Sequence, residues 1–594
     1  MGPTKGISPA ISMLAVRVFA GFSQGLALYG LYHWRNQLDP IAFGALSATA
    51  WLGPIVFLGA FGVLRRRWLI LWTAAAVGIA ASLGGYDAFV NAGDPSIWTS
   101  PFPTVVTFIA ALLYILHHLI LPTAGTGRWR TDYQRYFDAA WMDAVRLALS
   151  VMFVGLLWAL LWLGASLFKL IGLAFLQHLI ETDWIGYVAT ATFFALSIHL
   201  TDVRVALVQG ARTLLLTLLS WLLLVLTVIA VAFLGALPFT GLKALSAAGS
   251  ASGTMLAVCA ALVVLINATY QEGEQEGYPP TVLKWCSRIA ALALVPLVWV
   301  AIYGLGLRIH QYGLTPQRIN LAACLLVAGC YAAGYAWAAL RRGRWMAPLE
   351  GANWITAQVA VALLLILFSP LADPMRISVL SQISRLESGT VRPAQFDFMF
   401  LRFRAGRWGR EALQRLTVLD GSPRAIEIAS RAKSFQHLKT PSVDLTPPAA
   451  QVPEKVLTHH LQIYPAGVRV PATFLEQAAK SNLGGHSSCF TGGDDELCDA
   501  YVLDIYGEGA VAVFLVAPGE RTDEEITGEI FRRGTGGQWA KSGELVVTCP
   551  PSIKALQKGI FTFAVTRARD LVLAGRQFNI LSNPDENCST GARH

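Results

Sequence analysis

Apolar residues fall into eleven long blocks before residue 372, at 11–33, 41–64, 68–86, 103–121, 147–168, 183–200, 213–237, 251–270, 286–307, 317–340 and 353–371. A hydrocarbon core about 30 Å thick needs about 20 apolar residues of helix, and each block meets or approaches that length. From residue 372 onward the pattern breaks into short polar, Pro- and Gly-punctuated stretches. The reading is a polytopic α-helical membrane protein of about eleven transmembrane helices with a small α+β soluble domain at its C-terminus.

The chain divides into four regions: a transmembrane bundle over 1–371, a basic juxtamembrane helical segment over 372–439, a Pro-rich linker at 440–455 and an α+β domain over 456–594. In the juxtamembrane segment, Asp373 then Pro374 marks a helix start, and a second helical pattern runs from about Trp408 to Lys433. Beyond the linker, "AYVLDI", "AVAVFLVA", "ITGEIFRR", "GELVVT" and "GIFTFAV" read as strands of an antiparallel sheet, with one helix at 471–481. The fifth block continues through Lys169 into "LIGLAFLQHLI". It is read as one crossing ending near Phe168, a snorkelling lysine and a helix lying in the interface. The first block has Lys5 before it and no Ala-x-Ala site after it, so it reads as a retained signal anchor.

Composition removes the soluble alternative. Hydrophobic residues make up 54% and charged residues 14%, with a mean hydropathy of +0.51, and a chain of this size cannot hide that much apolar surface from water. Loop charge then sets a direction. With the N-terminus cytoplasmic, fifteen Lys and Arg lie in inner loops, among them Arg65, Arg66, Arg67, Arg341, Arg342 and Arg344. The outer loops hold Arg35, Lys243, Arg308 and Arg318. That bias is the positive-inside pattern, and an odd number of crossings then puts the C-terminal domain in the periplasm of a bacterial inner membrane. Residues 376–439 carry 12 basic against 5 acidic residues and would vote otherwise, but most lie beyond the reach of the rule. The net charge of +9 is largely topological, so nucleic acid is not an expected partner.

Cysteines agree with export. Cys259, Cys286, Cys324 and Cys330 lie in or at spans, whereas Cys489, Cys498, Cys549 and Cys588 lie in the polar domain. An even count in an oxidising compartment suggests disulfides, and the short "CFTGGDDELC" favours Cys489 with Cys498.

Two polar groups stand out against the apolar background. On the outer side, "GLRIHQYGLTPQRI" places Arg308, His310, Tyr312 and Arg318 between two spans, with Gly313 for the turn and Thr315–Pro316 as a helix start. The arginines either reach lipid phosphates or receive an acidic face of the C-terminal domain, whose residues 441–594 hold 13 basic and 18 acidic side chains. On the inner side, His117, His118, His199, Asp202, Arg204, Asn267 and Gln271 close spans four, six and eight. Interfacial solvation explains them; a small polar cavity is the sharper alternative, in which His199 and Asp202 share one helix face.

"YGLTPQRI", "INATYQEGE", "LPFTGL", "FSPLADPMRISVLSQISRLESG" and "FDFMFLRFRAGRWGREAL" together resemble the bacterial inner-membrane family known as domain of unknown function 4153, over about residues 10–420. The resemblance implies a polytopic membrane protein and no particular reaction. Span ten adds Ala328/Ala332, Gly329/Ala333 and Cys330/Gly334 pairs that suit close helix packing.

Chemistry has little to stand on. Serine-elbow, phosphate-loop and zinc-helix motifs are absent, and no catalytic residue, metal or cofactor is assigned. "DIYGEGAVAVFLV" lacks the central carboxylate and the bidentate Glu of a calcium loop, Tyr506 and Leu515 standing there instead. His459 and His460 point to opposite faces of an expected strand. Two function classes remain: a non-enzymatic envelope protein presenting a periplasmic sensory or interaction domain, or a transporter or membrane-embedded enzyme using the inner polar set. The expected partners are the lipid bilayer and, for the first class, another envelope protein. Oligomeric state is not readable.

Overall fold

The computed structural model describes residues 9–91, 103–124, 128–241, 251–273, 278–436 and 438, and from there 461–465, 467–480, 498–504, 511–516, 525–534, 537–548, 550–560, 571–573 and 576–578. The chain divides into two compact units, Met1–Pro393 with Asp397–His437, and Ala394–Phe396 with Leu438–His594.

In the first unit the eleven apolar blocks become eleven long helices, α1 (Pro9–His33), α2 (Pro40–Ala60), α3 (Arg66–Asn91), α4 (Pro103–Ile120), α5 (Tyr133–Leu170), α7 (Asp183–Val203), α8 (Val205–Thr240), α9 (Ala251–Tyr270), α10 (Thr281–Tyr312), α11 (Pro316–Leu340) and α12 (Pro348–Leu367), with the short α6 (Phe175–Glu181) between the fifth and sixth of them. Among the described residues, ten have the length and hydropathy of a membrane span, and α4 contributes a shorter apolar helix, Val105–Ile120. At 1.5 Å per residue, the seven residues of α6 rise about 10 Å, too little to cross. Lys169 lies in the last turn of α5, so that block makes one crossing.

Small residues set the closest helix contacts. A Cβ on Gly44 of α2 would lie 2.5 Å from the Gly84 carbonyl oxygen of α3, and one on Gly84 would lie 2.6 Å from that of Gly44. Lipid tails are as apolar as leucine, so helices associate through such backbone approach rather than through expulsion of water. In α11, Ala328 and Ala332 are buried and a Cβ on Gly334 would meet Ala352 of α12 at 2.4 Å, whereas Gly329 has open space around it. The small-residue stripe therefore packs within this chain.

The two larger apolar clusters among the described residues of this unit each join several helices. One joins α2, α3 and α4 through Leu52, Trp72, Ile109 and Leu113. The other joins α8 to α12 through Leu223, Leu262, Leu294, Leu325 and Leu349.

After α12 come α13 (Pro374–Glu387), a π-helical turn at Phe400–Arg404, α14 (Gly406–Leu416) and α15 (Pro423–Gln436). The single helix expected from Trp408 to Lys433 is thus two. Gly421 at φ +99° and the Pro423 that opens α15 break it, because a residue before proline is pushed out of the helical region.

The second unit holds a five-stranded sheet in the order β1 (Leu461–Tyr464), β2 (Cys498–Leu503), β3 (Ala512–Val516), β4 (Glu525–Arg533), β5 (Trp539–Thr548). Pairing is antiparallel except that β1 runs parallel to β2, so the sheet is mixed rather than wholly antiparallel. The β1–β2 connection contains α16 (Ala472–Lys480), which is the helical crossover a parallel pair requires. Phe474 and Leu475 cover one face with Val513 and Leu515, while Ile553 of α17 (Pro550–Lys558) covers the other with Tyr501, Phe514 and Val516. Two covered faces explain why β3 is an unbroken apolar run. The anticipated helix at 471–481 is α16; α17 had no counterpart in the sequence pattern. "GIFTFAV" beyond Ile560, the calcium-like loop after Asp504, and His459 with His460 lie outside the described residues. A two-stranded ribbon, β6 (Leu571–Leu573) with β7 (Arg576–Phe578), completes the described part.

Candidate functional site

Polar side chains of the first unit gather in three places. The first is a charge cluster at the ends of α1, α4, α5 and α7. Arg17, only 1% exposed, donates through Nη2 to an Asp202 carboxylate oxygen and, at 3.1 Å, to the Phe61 carbonyl. Arg146 lies 3.4 Å from Asp202 and 2.9 Å from Asp143, and Asp143 is 3.2 Å from His118 Nε2. His117 sits beside this chain, its Nδ1 accepting from the Trp72 indole at 2.9 Å. A buried guanidinium costs several kcal/mol unless paired and hydrogen-bonded, and here two carboxylates face two arginines and an imidazole.

His117, His118 and Asp202 from the inner set are thus brought together, but His199 and Asp202 do not act as a pair. Asp202 is taken by Arg17 and Arg146, and His199 Nδ1 is buried with no hydrogen-bond partner among the described residues. Arg204, the last residue before α8, is exposed. Among the described residues, no group of three or more His, Cys, Asp and Glu is arranged to hold a metal. Two members were missed by sequence reasoning. Arg17 stands alone inside the first apolar block, where a search for isolated charges within spans would have found it, and Asp143 precedes Arg146 by one helical step, a signal for an ion pair just ahead of the fifth block.

The second place is a neutral ring built from α5, α9, α11 and α12. Tyr133 donates to Asn267 Oδ1 at 3.0 Å, Tyr335 donates to Asn353 Oδ1 at 2.6 Å, and the Asn353 amide donates to Tyr133 at 2.9 Å and to Asn267 Oδ1 at 2.6 Å. The Asn267 amide completes it by donating to Tyr335 and, at 2.8 Å, to the Val263 carbonyl. Each hydroxyl both gives and accepts, so the ring closes on itself. Beside it, Tyr270 donates to Glu350 at 2.7 Å and Gln271 to the Tyr278 hydroxyl at 3.0 Å.

The third place lies at the opposite ends of the helices. Thr315 caps α11 as its sequence announces, accepting from the Arg318 amide. The corner between α10 and α11 is narrow, since α10 continues through Arg308 and His310 to Tyr312 and only Gly313, at φ +75°, and Leu314 precede Thr315. Arg318 turns back to the Gly313 carbonyl at 2.6 Å and lies 5.4 Å over the Tyr312 ring. The element that settles onto this corner is α13. Arg385 donates to the carbonyls of His310 (3.2 Å) and Gln311 (2.7 Å), and Gln382 to those of Tyr312 and Leu314 (3.1 Å each). A cation there satisfies the orphan carbonyls and the negative dipole end of α10.

Asp373 anchors the other end of α13. One carboxylate oxygen caps the helix through the Met375 (2.7 Å) and Arg376 (3.2 Å) amides; the other accepts from the Tyr86 hydroxyl (2.8 Å) and the Trp408 indole (3.0 Å). One buried side chain thereby ties α3, α13 and α14 together. Arg407 also lies 4.3 Å over the Phe89 ring.

In the second unit Cys498 is disulfide-bonded. Cys489, Cys549 and Cys588 lie outside the described residues, so the pairing rests on the sequence. Lys541 lies 2.7 Å from both Glu529 and Glu544, and these hydrogen bonds raise its pKa above the ordinary lysine value.

Helix bundle, buried helix-end networks and a separate small sheet define a multi-pass membrane protein. The family described as "Domain of unknown function (DUF4153)" matches residues 46–416, and the chain belongs to it. That span contains the neutral ring, the Asp373 anchor and the Arg385-capped corner. Comparison with curated proteins finds no match, and neither does comparison with solved structures.

Proposed function

We propose that the protein is a non-enzymatic component of the bacterial inner membrane, its N-terminus cytoplasmic, whose bundle mounts a periplasmic sensory or interaction domain for another envelope protein. The Asp373 anchor carries the reading. Where the chain leaves its last crossing, the buried carboxylate that caps α13 also accepts from Tyr86 of α3 and Trp408 of α14, fixing α13 and α14 to the bundle, which suits a stiff mount for a domain carried beyond them. The fifteen-to-four loop bias supports the orientation. The disulfide at Cys498 supports an oxidising compartment for the second unit.

A transporter or membrane-embedded enzyme would need the inner polar residues available to a substrate. His118, Asp202 and Asn267 are instead spent on Asp143, Arg17 and the neutral ring. The discriminating experiment compares deletion of residues 438–594 with His199→Ala in a strain whose phenotype depends on this protein, at matched membrane levels. The reading expects the deletion to abolish function and His199→Ala to preserve it; the opposite pattern would favour transport.

A further inference from the structure

A second feature lies apart from these networks. A groove of about 600 Å³ opens between α1, α2, α5 and α7, lined by Leu28, Trp51, Val151, Trp158 and Phe194, within the size range of small-molecule sites, roughly 300–1,000 Å³. It exists because α5 stands away from the bundle. Of its 38 residues only Phe137, Val145, Ser150 and Ala165 are buried, and beside the groove it is held to α7 by Ser150–Ser197 (3.1 Å) and Trp158–Thr190 (3.0 Å), with Arg146–Asp202 joining the two helices at their other ends. On the α1 side, Gln24 lines the groove at 6% exposure, both its amide donor contacts going to the Ala50 and Trp51 carbonyls at 3.1 Å.

The mouth is not apolar. Glu181, Thr182 and Asp183 line it where α6 hands over to α7. Glu181 accepts from Gln177, and neither carboxylate forms an ion pair among the described residues. Tyr187 also lines the groove; its ring lies against Tyr32 (6.0 Å), and Arg35 sits 4.5 Å over that Tyr32 ring. The rim thus offers two carboxylates and a nearby guanidinium at the end of an apolar slot between candidate membrane spans.

We propose that this groove is a binding site for a zwitterionic aminophospholipid, with an acyl chain between Trp51 and Trp158, the headgroup ammonium at Glu181 and Asp183, and the phosphate toward Arg35. An anionic phospholipid presents its phosphate to the same carboxylates without a cation to offset them, which disfavours it. The proposal is independent of which side of the membrane the mouth faces.

The test uses the full chain, delipidated in detergent. Its thermal midpoint is followed on titration with phosphatidylethanolamine or with phosphatidylglycerol of the same chains. Phosphatidylethanolamine is expected to raise the midpoint saturably and phosphatidylglycerol not to. The Glu181→Gln/Asp183→Asn double variant should weaken the phosphatidylethanolamine response about fivefold to tenfold, as the loss of two exposed charge contacts implies. Gly186→Phe fills the groove from a position with open space around its Cβ, the nearest atom being in Trp158 at 4.0 Å, and should abolish the response without lowering the lipid-free midpoint. Equal responses to the two lipids, no response to either, or an unchanged response in both variants would overturn the proposal and leave only general solvation by lipid.

Discussion

Removing the charge of Asp202 tests whether the buried cluster holds the bundle together. Arg17 is 1% exposed and Asp202 26% exposed. In Asp202→Asn the guanidinium keeps the Phe61 carbonyl but loses its counter-ion, and its Nε and Nη1 already lack hydrogen-bond partners among the described residues. Breaking a buried pair from one side costs about 3–5 kcal/mol. The partial exposure of Asp202 puts this case near the lower end, about 3 kcal/mol. At about 2 °C per kcal/mol for a chain of this size, the midpoint in detergent should fall by about 6 °C, read by tryptophan fluorescence together with retention of the monodisperse peak on size exclusion. Arg17→Met should cost less, because Asp202 retains Arg146 at 3.4 Å. The double variant Arg17→Met/Asp202→Leu should recover most of the loss, since apolar replacement of both partners is often neutral. A midpoint within about 1 °C of wild type for Asp202→Asn, or a double variant as unstable as the sum of the singles, would refute the reasoning.

Other substitutions probe the remaining networks. Asn353→Leu opens the neutral ring, leaving the Tyr335 hydroxyl without its acceptor and the Tyr133 hydroxyl without its donor, for an expected loss of about 1–3 kcal/mol by the same thermal assay; Tyr331→Phe, outside the ring, should cost far less. Asp373→Ala removes a helix cap and two side-chain bonds, a loss of about 2 kcal/mol, and should expose residues 374–436 to protease in proteoliposomes while the bundle stays resistant. Lys541→Met should destabilise the second unit at pH 8. Because the folded pKa of Lys541 is raised, the contribution is fully present below the unfolded value and fades as pH rises through the folded one, so the difference from wild type should shrink in alkaline denaturation curves.

Span positions were legible because a bilayer forces every crossing to be long, apolar and helical. Helix starts were legible where a cap is a local event, as at Thr315–Pro316 and Asp373–Pro374. The features that escaped depend on distant partners. Asp373 reads as a cap, yet its second oxygen serves Tyr86, 287 residues earlier. Arg17 stands in an apolar block, and its partner Asp202 comes 185 residues later. Nothing local told that α13 would settle on the corner holding Arg308 and Arg318, because Arg385 seeks backbone carbonyls and those carry no sequence signal. The parallel placement of β1 was hidden for a similar reason, as strand direction is set by the α16 crossover rather than by alternation.

The threading itself is tested most directly by paired reporters, alkaline phosphatase and green fluorescent protein, fused after residue 182 and after residue 437 in the bacterial inner membrane. The account predicts an active phosphatase and a dark fluorescent protein at both sites. A fluorescent, phosphatase-negative fusion at residue 437 would contradict it, placing the second unit in the cytoplasm.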